Sequence, residues 1–378
     1  MKERAFLLIE LIIFLSVFIS IEAIPSNACV EPYSGMEIAE DTEFCPGEHY
    51  LSGSIKVVSD NIRLNCNGAR LYTEGVPGIY IGNRSSISVD NCVISSFGAA
   101  ISTCKWWDCY PLSYSKINNN MIVGSSGIVI KDTSGSGKSK DNIISNNVIS
   151  SDFGIDMRYS SENIIKNNSI GTRFEAVSLR FSDKNIIESN RIAAGPDSYG
   201  IDMQYSDKNR ISNNIMIRGI KVNGVSNLIL SNDINEGRGN FHGEGVLLMP
   251  GSGLSEITEN LIAGGFSNGI YLRNSPKVIV VANEIRDNLN GISVYGDSWS
   301  SNVTLNSIFH NRYYNIANNN NETLNAEQNY FGTINPFLIK NKISGPVDYC
   351  PLLDAPYPEG KVVDCDEFCK KTGICPKP

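Results

Sequence analysis

FGIDMRYSSENIIKNN, residues 153–168, is nearly written out again as YGIDMQYSDKNRISNN at 199–214. Either Asp156 and Asp202 are a catalytic carboxylate pair, or the two stretches are copies of one structural unit that share an Asp. The wider chain favours the unit. An Asn followed by a large apolar residue recurs at Asn91, Asn120, Asn147, Asn168, Asn190, Asn214, Asn232, Asn260, Asn283, Asn306 and Asn329, in steps of 18 to 29 residues. A Gly-aliphatic-x-aliphatic element recurs beside it, as at Gly127, Gly154, Gly200, Gly245 and Gly269. Each period holds short alternating runs separated by Gly, Asn, Ser and Asp, and leaves no room for an ordinary helix. The pattern predicts an all-β fold, a right-handed parallel β-helix (solenoid) of about eleven coils with disulfide-rich terminal caps. Ile155 and Met157 then point inward, and the residues between them point out. Asn tolerates a left-handed turn and can bond to its equivalent one coil away, so the Asn column is expected to be structural.

The ends of the chain read differently. Lys2 and Arg4 precede an apolar run from Ala5 to Ile21, with small residues at Ala23 and Ala28, so residues 1–28 are expected to be a signal peptide. An uncleaved membrane anchor is the other reading, although a run carrying Glu10 is short for a span. No other stretch is long and apolar enough to cross a bilayer. Export makes disulfides the natural use of the ten cysteines, six between Cys29 and Cys109 and four between Cys350 and Cys375. Zinc at Cys365, Cys369 and Cys375 is the alternative, weakened by the lack of a nearby His. Cys104 with Cys109, closing CKWWDC, is the best single pairing. Residues 29–75 read as an N-terminal cap and first coil, 76–332 as the β-helix, and 333–378 as a Pro- and Cys-rich C-terminal cap. A net charge of −8 argues against nucleic acid as a partner, because no basic stripe is present to neutralise phosphates.

LNCNGARL (64–71), VDNCVI (89–94), the repeated Asn-Asn-x-Ile coils and NYFGTINPFLIKNKISGPVDYCPLL (329–353) resemble the secreted right-handed β-helix proteins called NosD-like, within the pectin-lyase-like superfamily. The resemblance implies the fold strongly and the activity weakly, since this fold hosts lyases, hydrolases, epimerases and adhesins. Tyr199-Gly200-Ile201-Asp202 is also similar to the start of the mannuronan C5-epimerase signature, Tyr-Gly-(Phe or Ile)-Asp-Pro-His. Tyr199 and Asp202 match it, whereas Met203 replaces Pro and Gln204 replaces His. Gln exchanges no proton at neutral pH, so a proton carrier of such a site is missing.

Stacking the coils turns outward positions into columns. Asp156, Ser178, Asp202 and Lys221 form one; Arg158, Arg180, Gln204 and Asn223 form another, continuing past Met249 to Arg273. Such a face can bind a linear charged glycan, although any exposed sheet face is polar. Asp156 and Asp202 lie two coils apart, roughly 9 to 10 Å, which is at or beyond the limit for inverting glycosidases and too far for retaining ones. His242 and Glu244 in FHGEG (241–245) are a further acid/base candidate in an inter-coil loop. Trp106, Trp107 and Tyr110 can stack on sugar rings or simply cover the rod's flank. GSGKS (135–139) matches only the end of a phosphate loop, without its strand-to-helix setting. His49, His242 and His310 fall in different parts of the repeat and are not expected to share a metal. Asn83, Asn167, Asn302 and Asn321 begin glycosylation sequons.

The sequence thus points to an exported protein, secreted or on the cell surface, that binds polysaccharide or a cell-surface glycan or acts as an interaction module. The alternative is a uronan lyase or C5-epimerase-like enzyme. In that case Tyr199, Asp202 and Asp156 are the catalytic candidates, and Arg158, Arg180, Gln204, Lys221, Arg273, Trp106 and Trp107 the substrate-binding ones. No metal or other cofactor is expected, and calcium is not indicated.

Overall fold

A computed structural model describes residues 29–105, 107–133, 139–236 and 242–365. They wind into a right-handed parallel β-helix. A 14-stranded parallel sheet, from Thr42–Glu43 to Val347–Asp348, forms one face. A 23-stranded sheet forms two more. That sheet is continuous because three early strands, Val93–Ser102, Met121–Lys131 and Val148–Arg158, run through a corner that later coils break in two, as at Ser169–Thr172 and Val177–Arg180. The stack has about thirteen turns rather than eleven. Paired strands ahead of Asn91, such as Glu48–Leu51 and Arg70–Thr73, form turns without the Asn signature.

The interior is filled by ladders of like residues in register. Ile149, Ile170 and Ile192 stack under one face, Met157, Leu179 and Met203 under the second, and Ile165, Ile187 and Ile211 under the third. All are fully buried, and each contributes about 1.5–3 kcal/mol of apolar burial. Alternation puts GIDMR and GIDMQ on the same strand of coils separated by one turn, because Asp156 pairs with Ser178 and Ser178 with Asp202.

The Asn column is structural through the coil-to-coil bonding expected of it, and not through the left-handed turn. Its members, from Asn120 through Asn147, Asn168 and Asn190 to Asn329, are buried and do not take up the left-handed turn. The residue before each one does, at Asn119, Asn146, Asn167 and Ser189 with φ of 55° to 56°. Each buried Asn Oδ1 accepts from the backbone N–H and the side-chain amide of the preceding ladder Asn, as Asn190 does from Asn168 at 2.9 and 3.0 Å. Its own Nδ2 donates to a carbonyl of an earlier coil, as from Asn190 to Ile165 O at 2.9 Å. The first rung is therefore one residue later than the Asn91 alignment. Cys92 occupies it, donating its N–H to Asn120 Oδ1 at 2.9 Å and closing the ladder through a disulfide to Cys66. A second ladder, Asn142, Asn163, Asn185, Asn209 and Asn227, seals the next corner in the same way.

Cys29 pairs with Cys45, Cys104 with Cys109, and Cys350 with Cys365. The signal-peptide expectation and Cys369 and Cys375 fall outside the described residues. Near the C-terminal end the helix Pro336–Lys340, capped by Asn335, precedes the strand Ile343–Ser344, which adds to the stack against Ile316 and Ala317. No helix among the described residues is long and apolar enough to cross a membrane.

Candidate functional site

The second face carries the candidate residues. In-register pairing builds the floor column Asp156, Ser178, Asp202, Lys221 and, beside it, the column Arg158, Arg180, Gln204, Asn223. Ser178 is small, and the coils either side of it carry longer side chains. A cleft of about 180 Å³ opens there, lined by Lys131, Phe153, Asp156, Glu175, Ser178, Arg158, Arg180, Asp202 and Gln204.

Two of the three carboxylates in this cleft, Asp156 and Asp202, are already engaged. Asp156 forms an ion pair with Lys131 from the coil before, and Asp202 Oδ2 lies 3.5 Å from Lys221 Nζ of the coil after. Gln204 Nε2 donates to the same Asp202 oxygen at 3.0 Å. Asp202 therefore points outward along its strand yet is only 6% exposed, and its Oδ1 has no partner. The two arginines are not engaged in this way. Neither Arg158 nor Arg180 pairs with a carboxylate among the described residues, and the Nε of each is buried without an acceptor. A buried donor left so costs about 1–3 kcal/mol.

Aromatic side chains flank the floor on both sides. Tyr159, Phe181 and Tyr205 directly follow Arg158, Arg180 and Gln204, share a φ of 51°, and stack with ring centroids 5.0 and 5.1 Å apart. At the other end of the strands Phe153 stacks on Phe174 at 4.8 Å. The sequence reading missed this wall. The signal was present in the dipeptides Arg158-Tyr159, Arg180-Phe181 and Gln204-Tyr205, which occupy one place in three consecutive periods.

Tyr199 does not share the cleft with Asp202 and Gln204. It lines a second recess of about 280 Å³ with Pro196, Arg218, His242, Glu244 and Phe266. Its hydroxyl donates to Glu244 Oε2 at 2.7 Å. The two residues belong to one corner column, each three positions ahead of its coil's floor residue, with Arg218 between them. Arg218 leaves the way clear because it adopts a φ of 90° and turns into a buried ion pair with Glu236. Burial, reinforced by the Glu244 charge, raises the Tyr199 phenol well above its ordinary value. Lys221 joins the two recesses, reaching Asp202 on one side and lying 5.8 Å from the Tyr199 ring centroid on the other.

The remaining candidates lie elsewhere. Arg273 sits three coils beyond Gln204, away from the cleft, and pairs in register with Tyr295. Trp107 is 91% exposed at the end of a small hairpin, while Trp106 and most of GSGKS fall outside the described residues.

A family model described as periplasmic copper-binding protein (NosD) matches residues 74–221 and 154–336, well over half of the chain. The chain belongs to the NosD family. No curated protein is similar enough to match. Among solved structures, a double mutant of the periplasmic alginate epimerase AlgG is 14% identical, with 75% of this chain and 77% of that one covered at a TM-score of 0.52. The A-module of the Azotobacter vinelandii mannuronan C-5 epimerase AlgE6 is 15% identical, with 82% and 91% covered at 0.50. At such identities the likeness shows the fold alone. Among the described residues no set of His, Cys, Asp or Glu donors fits the copper of the NosD family description. His49, His242 and His310 stand on separate coils, all eight described cysteines are in disulfides, and no three His, Cys, Asp or Glu side chains among the described residues gather into a metal-binding group.

Proposed function

We propose that this NosD-family protein is exported, works in the periplasm or at the cell surface, and binds an acidic polysaccharide lengthwise along its second face. The observation that carries the reading is the pair Arg158 and Arg180, stacked on adjoining coils without carboxylate partners in a cleft between aromatic walls. A guanidinium is a planar fork that matches a carboxylate, so a uronate seated over Ser178 meets the two guanidinium groups that line the cleft. The flat faces of Phe153 and Phe181 offer apolar surface to the apolar side of a sugar ring. Coils repeat about every 4.8 Å, which suits a polymer that presents similar units in sequence. The four described disulfides agree with an oxidising compartment. Two proteins of like fold are named for alginate and mannuronan, both uronate polymers. Titrating the purified protein with a polyuronate and with a neutral glucan tests the reading, which expects binding of the first alone.

One observation favours a second reading, an eliminating enzyme. Tyr199 and Glu244 form a hydrogen-bonded acid and base beside the cation Lys221. Glu244 would take the proton from C5 of the uronate, the electron pair would form the C4–C5 double bond, and the C4–O bond would break. Tyr199 would protonate the leaving oxygen and be reprotonated by Glu244. A rise in absorbance from unsaturated uronide ends tests this directly, and its absence on a polymer that binds leaves the binding reading alone.

A further inference from the structure

Asp132, Tyr159 and Phe181 occupy one corner of successive coils, each backbone N–H donating to the carbonyl of the residue before its neighbour: Asp132 to Arg158 O, Tyr159 to Arg180 O and Phe181 to Gln204 O, all at 3.0 Å. One coil earlier the same corner is interrupted by an insertion. Cys104–Lys105 pairs antiparallel with Asp108–Cys109, and a disulfide between Cys104 and Cys109 ties its base. That base is bolted to the next coil, because the Thr133 N–H and hydroxyl both donate to Cys109 O and the Cys109 N–H donates back to Thr133 Oγ1 at 3.3 Å. The hairpin therefore leaves the rod on the same edge as the aromatic ladder, four coil steps or about 19 Å from Tyr205.

The hairpin contributes little to the core. Both Cys104 and Cys109 stand outside the main hydrophobic cluster, and a crosslink closing so few residues restrains the unfolded chain far less than a long loop would. Among its described residues it holds one large apolar side chain, Trp107, in water at 91% exposure, while Lys105 pairs in register with the exposed Asp108. An exposed aromatic on a disulfide-tied base suits contact with the apolar side of a sugar ring, and tying the base in advance lowers the ordering cost of binding.

Resting on the groove reading above, we infer that the Cys104–Cys109 hairpin is a distal subsite, with Trp107 contacting an acidic glycan chain that already occupies the Arg158–Arg180 cleft. The two contacts lie on one rod, so the second acts intramolecularly and appears only with chains long enough to span both. The occupant is the same polymer, not a separate protein partner, because the hairpin continues the edge that walls the cleft.

Affinities of the whole protein, its Trp107→Ala variant and a Cys104→Ala/Cys109→Ala double variant for a polyuronate-derived trimer and for a chain of about a dozen units decide it. The inference expects both variants to bind the trimer as the wild type does and to lose about tenfold on the long chain. The double variant retains Trp107, so the same loss there assigns the disulfide to presentation of the ring. Unchanged long-chain binding by Trp107→Ala overturns the inference and leaves the groove reading standing. An equal loss on both lengths also overturns it, since that points to a disturbed rod. A wild type that binds neither length overturns the groove reading, and this inference with it.

Discussion

Arg158 and Arg180 are direct register partners on adjoining coils, two like charges stacked side by side with no carboxylate between them. Like charges directly opposed across neighbouring strands are destabilising, on the scale of cross-strand pairs of about 0.2–1 kcal/mol. The next coil holds Gln204 at this position. Arg180→Gln is therefore expected to raise stability by about 0.5 kcal/mol while weakening polyuronate binding. Urea unfolding and a binding isotherm on the same preparation check both signs, and a variant that loses stability removes the argument that this pair is retained for a ligand.

Phe181 is the middle ring of the Tyr159–Phe181–Tyr205 stack. Phe181→Ala interrupts the wall without touching the core, so it is expected to cost about 1 kcal/mol of stacking and to reduce affinity for every length of acidic glycan. Unchanged affinity in calorimetry would show that the ladder serves the rod and not the ligand.

Asn214 accepts from both the backbone and the side chain of Asn190 and donates onward to Asn232. Asn214→Ala leaves the buried Asn190 N–H without an acceptor, at an expected cost of about 3 kcal/mol. Denaturant unfolding measures it. A cost under about 1 kcal/mol would mean the ladder follows from the stack and does not hold it.

Tyr199 gives a pH dependence with a definite sign. Its phenol binds its proton more tightly in the folded state than at its ordinary value of 10.0. The contribution is complete below pH 10 and is lost as pH rises beyond it, because the unfolded chain ionises first. The wild type should therefore lose stability above pH 10 faster than Tyr199→Phe, as followed by thermal unfolding between pH 8 and about pH 11. Parallel curves would contradict the buried Tyr199–Glu244 contact.

The fold was legible because a coil must place an apolar residue inward at the same point of every turn, and Ile149, Ile170 and Ile192 repeat visibly. The floor columns were legible for the same reason, since register follows from the repeat: Asp156, Ser178 and Asp202 align as counted. The capping role of Asn was read one residue out, because Asn167 and Asn168 are both asparagines and only geometry separates the turn from the ladder. The Tyr199–Glu244 contact could not be counted at all. It skips a coil, and depends on Arg218 turning inward to Glu236, which no spacing reveals. The Tyr159–Phe181–Tyr205 wall was countable but went unread, being hidden among residues of mixed type.

Arg158 and Arg180 are proposed to hold the carboxylates of an acidic glycan. This is tested most directly by the dissociation constants of the wild type and an Arg158→Ala/Arg180→Ala variant for a polyuronate and for a neutral glucan at one salt concentration. The wild type is expected to bind only the polyuronate, and the variant to lose at least about tenfold, 1.4 kcal/mol, with its unfolding midpoint unchanged or raised. Equal binding of both polymers by the wild type, or undiminished polyuronate binding by the folded variant, would contradict it.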